Sequence, residues 1–146
     1  MTQHRSPTDR TRSLITQLAQ PMRIDALGPV AGRFIYSLRL IAAHERVQRD
    51  PVPELAIRLG GMETAAKALA MSQAIAWCWP ENVHVSRFCC CHLTYDEATI
   101  GAMIESAAGH DRDGFFESVT GLVRPERIER LWDDALALVS AEMRAG

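Results

Sequence analysis

Arg87-Phe88-Cys89-Cys90-Cys91-His92-Leu93-Thr94-Tyr95-Asp96-Glu97 holds three of the chain's four cysteines in a row, with a helix start directly behind them. Thr94 and Glu97 have the Thr-x-x-Glu spacing of a capping box. In that box the threonine hydroxyl accepts from the N–H of Glu97, and the Glu97 carboxylate accepts from the N–H of Thr94. The spacing predicts a helix from Tyr95. Helix N-termini carry partial positive charge, which favours thiolate chemistry nearby; Cys91 is the best placed of the three to use it, three residues before the cap. If the run is extended, Cys89 and Cys91 share one side and Cys90 points to the other.

Downstream, Ala98, Ile100, Ile104, Ala107 and Ala108 continue the helix on one face, and Gly109 supplies its C-cap. Residues 111–114 read as a turn. Phe115, Phe116, Val119 and Leu122 suggest a further short helix, and Pro125 sits at a first helical position. From there Ile128, Leu131, Trp132, Ala135, Leu138 and Val139 give the clearest amphipathic pattern in the chain, reaching about Met143. Its polar face mixes Glu126, Arg127, Glu129, Arg130, Asp133 and Asp134, the pattern of a solvated surface.

Upstream, residues 83–85 alternate enough for a short extended segment without implying a sheet. Residues 62–79 form an alanine-rich helix ended by Pro80, whose small side chains let a neighbouring helix approach closely and make it the expected centre of the bundle. Residues 54–59 read as a short helix stopped by Gly60-Gly61. Residues 30–47 carry Phe34, Ile35, Leu38, Ile41 and Ala42 as an apolar stripe, with Arg33, Tyr36, Arg39, Glu45 and Arg46 assigned mostly to its flanks and His44 near its end. A short helix is expected over residues 13–20, ended by Pro21, after a flexible polar segment over residues 1–12. The sum is one all-α domain over residues 13–146, a compact bundle of about five or six helices with the cysteine-rich loop before the fourth or fifth.

With 146 residues and 47% hydrophobic content, the chain buries a core without needing disulfide staples. Net charge is only -2, yet residues 1–60 hold nine arginines and five acids while residues 61–146 hold seven basic and thirteen acidic groups, or +4 against -6. Such asymmetry suits self-association or an oppositely charged protein partner better than nucleic acid, which calls for a concentrated basic face. Residues 1–20 lack the apolar core of a secretory signal, and the most apolar window, residues 65–79, is broken by Lys67, Ser72 and Gln73 and is too short for a membrane span. The expected location is the cytoplasm, where four cysteines are free thiols or ligands.

Leu38-Arg39 with Ile41-Ala42-Ala43-His44, then Val83-x-Val85, Cys89-Cys90-Cys91 and Thr94-x-x-Glu97, together resemble a family of small uncharacterised bacterial proteins, a domain of unknown function. Its hallmark is a triple cysteine just before a Thr-x-x-Glu helix start, with an Arg- and His-bearing helix upstream. The resemblance covers residues 38–98 and implies no particular activity.

Three uses of the cysteine run compete. Cys89, Cys90, Cys91 and His92 are the candidate redox or ligand-binding residues, supported by the Thr94–Glu97 cap; a thiolate with a neighbouring thiol to resolve a sulfenic acid makes a redox sensor. Cys78, Cys89 and Cys91 with His84 and His92 are the candidate metal ligands, for zinc or iron, although no Cys-x-x-Cys knuckle is present. The third use is packing, since free cysteine is often buried as a small hydrophobe. No nucleophile elbow, phosphate loop or His-Glu-x-x-His helix appears, so an enzyme is unmotivated and no cofactor is required. The reading that composition favours is a helical domain acting by association with a protein partner or with itself, and the alternative is a thiol-based redox sensor or a zinc- or iron-binding protein.

Overall fold

The computed structural model describes residues 22–145; the helix expected over residues 13–20 and the flexible segment over residues 1–12 lie outside them. Among the described residues there are six α-helices: α1 Pro29–Arg46, α2 Val52–Leu59, α3 Met62–Cys78, α4 Tyr95–Ala108, α5 Arg112–Val119 and α6 Pro125–Ala145. A 3-10 turn, Ile24–Ala26, precedes α1. No strand forms among them. The extended pairing is a single antiparallel bridge between Arg23 and His92, in which Ile24 N donates to Cys91 O at 2.9 Å and Leu93 N donates to Met22 O at 2.7 Å. The cysteine-rich loop runs from the end of α3 to the start of α4, so it precedes the fourth helix.

Local chemistry sets most boundaries. Proline opens α1 at Pro29 and α6 at Pro125, where its missing N–H costs nothing. Gly60 ends α2 with φ +82°, a left-handed conformation that glycine adopts without penalty. The capping box at α4 is complete: Glu97 N donates to Thr94 Oγ1 at 3.0 Å and Thr94 N donates to Glu97 Oε1 at 2.9 Å. Residues 111–114, expected as a turn, are the first turn of α5. Asp111 acts as its N-cap, accepting from Gly114 N at 2.9 Å, and that carboxylate satisfies a donor the helix itself leaves unpaired.

The alanine-rich α3 packs most extensively on α6, and α4 packs on α1 and α5. Small residues on α3, Ala65, Ala68 and Ala74, are buried, as close helix approach requires. The main core gathers Ile35, Met71, Ile100, Met103, Ile104, Phe115 and Leu131, with the Phe115 ring edge-on to Trp132 at 5.1 Å. A smaller cluster of Leu40, Ile41, Leu55 and Ala65 ties α2 to α1 and α3. Among the described residues no helix is long and apolar enough to cross a membrane.

One placement overturns the expectation for α1. Arg39, assigned to a flank of the apolar stripe, is buried with no side-chain exposure. The physical reason is a partner: Glu97 of α4, equally buried, stands opposite it.

Candidate functional site

Glu97 begins as a cap residue and ends as the centre of a polar cluster. It is in phase with Ile100, Ile104 and Ala107 on the buried face of α4, so its carboxylate enters the interior. Arg39, four residues after the fully buried Ile35, projects from α1 to meet it. The two pair bidentately, Arg39 Nε to Glu97 Oε2 at 2.7 Å and Nη2 to Oε1 at 2.9 Å. This planar fork is the geometry in which arginine and carboxylate bind best.

The pair spends its remaining capacity on the cysteine loop. Arg39 Nη1 donates to Cys90 O at 2.6 Å and Nη2 donates to His92 O at 3.0 Å. Ser86 N donates to Glu97 Oε2 at 3.3 Å, and Thr94 N completes the carboxylate's set of four. Ile24 N takes Cys91 O, so the carbonyls of Cys90, Cys91 and His92 are all held by protein donors. At the loop's other end the Thr94 hydroxyl donates to His84 O at 2.7 Å, and Asp96 accepts from His84 N at 2.8 Å. Glu97's hydrogen bond and charge hold the Arg39 guanidinium above its ordinary value, against the opposing effect of burial. Among the described residues no buried side-chain nitrogen or oxygen lacks a partner.

With the backbone held this way the sulfurs face outward. Cys89 and Cys91 are exposed, Cys90 is half-buried, and none is bonded to another. Cys91 Sγ has basic company: Arg23 Nη1 donates towards it at 3.7 Å and His92 Nδ1 stands 3.6 Å away. Arg23 is itself gripped by Asp25 through Nε and Nη2, a hydrogen-bonded pair that raises the Arg23 guanidinium and lowers the Asp25 carboxyl from their ordinary values. The chain matches no protein-family model, no curated protein and no solved structure.

The five candidate metal ligands do not converge. Cys78 is buried at the end of α3, where desolvation pushes its thiol up despite the nearby cations of Arg127 and Arg130. His84 and His92 are exposed, and among the described residues no group of three or more His, Cys, Asp or Glu side chains is arranged to hold a metal ion. Packing does not account for the run either, because two of its three thiols meet solvent.

Beside the loop lies a groove of about 350 Å³ between α1 and α2, lined by Leu40, Leu55 and Leu59 with Tyr36 and Phe88 at its mouth. Phe88, the residue before Cys89, packs its ring 5.6 Å from that of Tyr36, and the Arg58 guanidinium lies 5.0 Å over it. The loop and the groove therefore share a wall. Sequence reasoning found the thiols and the cap but not Arg39, Arg23 or this groove. The signal for Arg39 was its helical register with Ile35.

Proposed function

We propose that the protein is a thiol-based redox sensor whose reactive element is the cysteine loop. The observation that carries this reading is the exposure of Cys89 and Cys91 on a backbone held by a buried ion pair. Burying a guanidinium and a carboxylate costs several kcal/mol per ion before their attraction is counted. An expenditure of that size on a loop whose side chains are surface thiols fits a loop kept in shape for what its sulfurs do. Exposed cysteine in electropositive surroundings is the setting in which thiols oxidise. The test is treatment of the native protein with hydrogen peroxide in the presence of a sulfenic-acid trap. Label at Cys89 or Cys91 and none at Cys78 supports the reading, and no label at any of the four cysteines refutes it.

The groove favours a second reading, association with a second copy of this chain. Tyr36 and Phe88 of its lining are exposed, and Arg58, which also lines it, pairs with Glu54 3.2 Å away, so two copies can exchange ion pairs across a twofold axis. Sedimentation over a range of concentrations tests it. A dimer that Phe88→Asp dissociates supports self-association; a strict monomer at the highest concentration removes it.

A further inference from the structure

Among the exposed thiols, Cys91 and Cys89 are not equivalent. Cys91 has a guanidinium N–H directed at its sulfur and an imidazole nitrogen beside it, and its own carbonyl is fixed by Ile24. Those neighbours disfavour a bound cation, and the guanidinium places positive charge where an anionic disulfide would approach the sulfur. Asp25 takes Nε and Nη2 of Arg23, which leaves Nη1 aimed at the sulfur.

We propose that Cys91 is a site of reversible mixed-disulfide formation with low-molecular-weight disulfides. The inference rests on the sensor reading above and names its reactive sulfur and its oxidant. The Cys91 thiolate attacks one sulfur of the small disulfide, and a new S–S bond forms as the old one breaks. The departing thiolate takes up the proton that Cys91 gave up; Cys91 is oxidised and one half of the small disulfide is reduced. A second small thiol reverses the step.

The clamp on the loop determines which product persists. An internal bridge must bring two Cβ atoms within about 3.5–4.5 Å. Between Cys89 and Cys91 this requires the chain to fold on itself at Cys90, whose carbonyl is held by Arg39 at 2.6 Å and whose N–H donates to Arg87 O at 3.0 Å. A mixed disulfide on an exposed sulfur requires no backbone change. The clamped loop therefore keeps a captured small thiol instead of expelling it by ring closure.

The test uses the full chain, incubated in its native state with glutathione disulfide, quenched with acid and mapped by mass spectrometry over time. One guanidinium about 4 Å from a charge is worth roughly fivefold at high dielectric. Cys91 should gain one glutathionyl group about fivefold faster than Cys89, Arg23→Gln should abolish that lead without slowing Cys89, and Arg23→Lys should retain it within about twofold. An adduct mainly on Cys89 or Cys90, a Cys91 rate indifferent to Arg23→Gln, or an oxidised product with no adduct and an internal bridge would each overturn the proposal. Iodoacetamide, a neutral probe, separates this failure from that of the underlying reading: if it too leaves every thiol of the native protein unmodified, surface thiol chemistry as a whole is refuted.

Discussion

Replacing Arg39 with methionine keeps an apolar stem in the same space and deletes the guanidinium. The Glu97 carboxylate then stays buried with only Thr94 N and Ser86 N as donors, the carbonyl of Cys90 loses its donor, and that of His92 keeps only the Ser86 hydroxyl at 3.5 Å. Removing one member of a buried ion pair costs about 3–5 kcal/mol. The orphaned Cys90 carbonyl adds about 1 kcal/mol where water cannot replace the donor, and less here because the loop borders solvent. A loss of about 4–5 kcal/mol is a large part of the roughly 5–15 kcal/mol that a single domain has. At about 2–4 °C per kcal/mol for a chain of this size, Tm falls by about 10–15 °C. Urea unfolding followed by circular dichroism measures the loss. Arg39→Met combined with Glu97→Leu should recover at least about 2 kcal/mol relative to the sum of the single changes, because no unpaired charge is left buried. Arg39→Met within about 1 kcal/mol of the parent, or additivity in the double variant, would refute the view that this pair holds the loop.

Cys78 should make stability depend on alkaline pH. Burial raises its folded value above the ordinary one near 9, so its contribution is fully present below that pH; above it the unfolded thiol ionises first, and stability is lost as pH rises towards the folded value. Cys78→Ala should flatten the decline between pH 8 and 10 by up to about 1.4 kcal/mol per pH unit, read from urea midpoints under reductant. At α5, a Cβ on Gly114 would collide with the Asp111 carboxylate. Gly114→Ala and Asp111→Ala should each cost about 1 kcal/mol in urea unfolding, with the double variant costing little more than either, because both remove the same cap. Thr94→Ala should cost about 1–2 kcal/mol by the same measurement, since it removes a cap and the donor to His84 O together.

The helices were legible because each has a local marker. The Thr94–Glu97 box, Pro125 and the Gly60-Gly61 stop act within a few residues of the backbone they shape. Asp111 was misread because Asp-x-x-Gly serves a turn and an N-cap equally well, and only the helix that follows separates them. Arg39 was missed for a different reason. Its register with Ile35 placed it on the buried face, but a charged residue is assigned to a boundary unless a partner is known, and Glu97 lies 58 residues away in sequence. The same limit applies to Arg23 beside Cys91, since contact across 68 residues depends on how the chain folds back. The thiols as residues were visible in the sequence; their exposure, and the pair that holds their backbone, are tertiary facts.

The most direct measurement is native-state alkylation of all four cysteines, mapped by peptide, in the parent and in Arg39→Met. In the parent, Cys89 and Cys91 should react at rates close to those of a free thiol, Cys90 more slowly, and Cys78 only as fast as the whole domain unfolds, while Arg39→Met brings Cys90 up to the rate of its neighbours. Protection of Cys89 and Cys91 as strong as that of Cys78, or a Cys90 rate unchanged by loss of Arg39, would contradict the account.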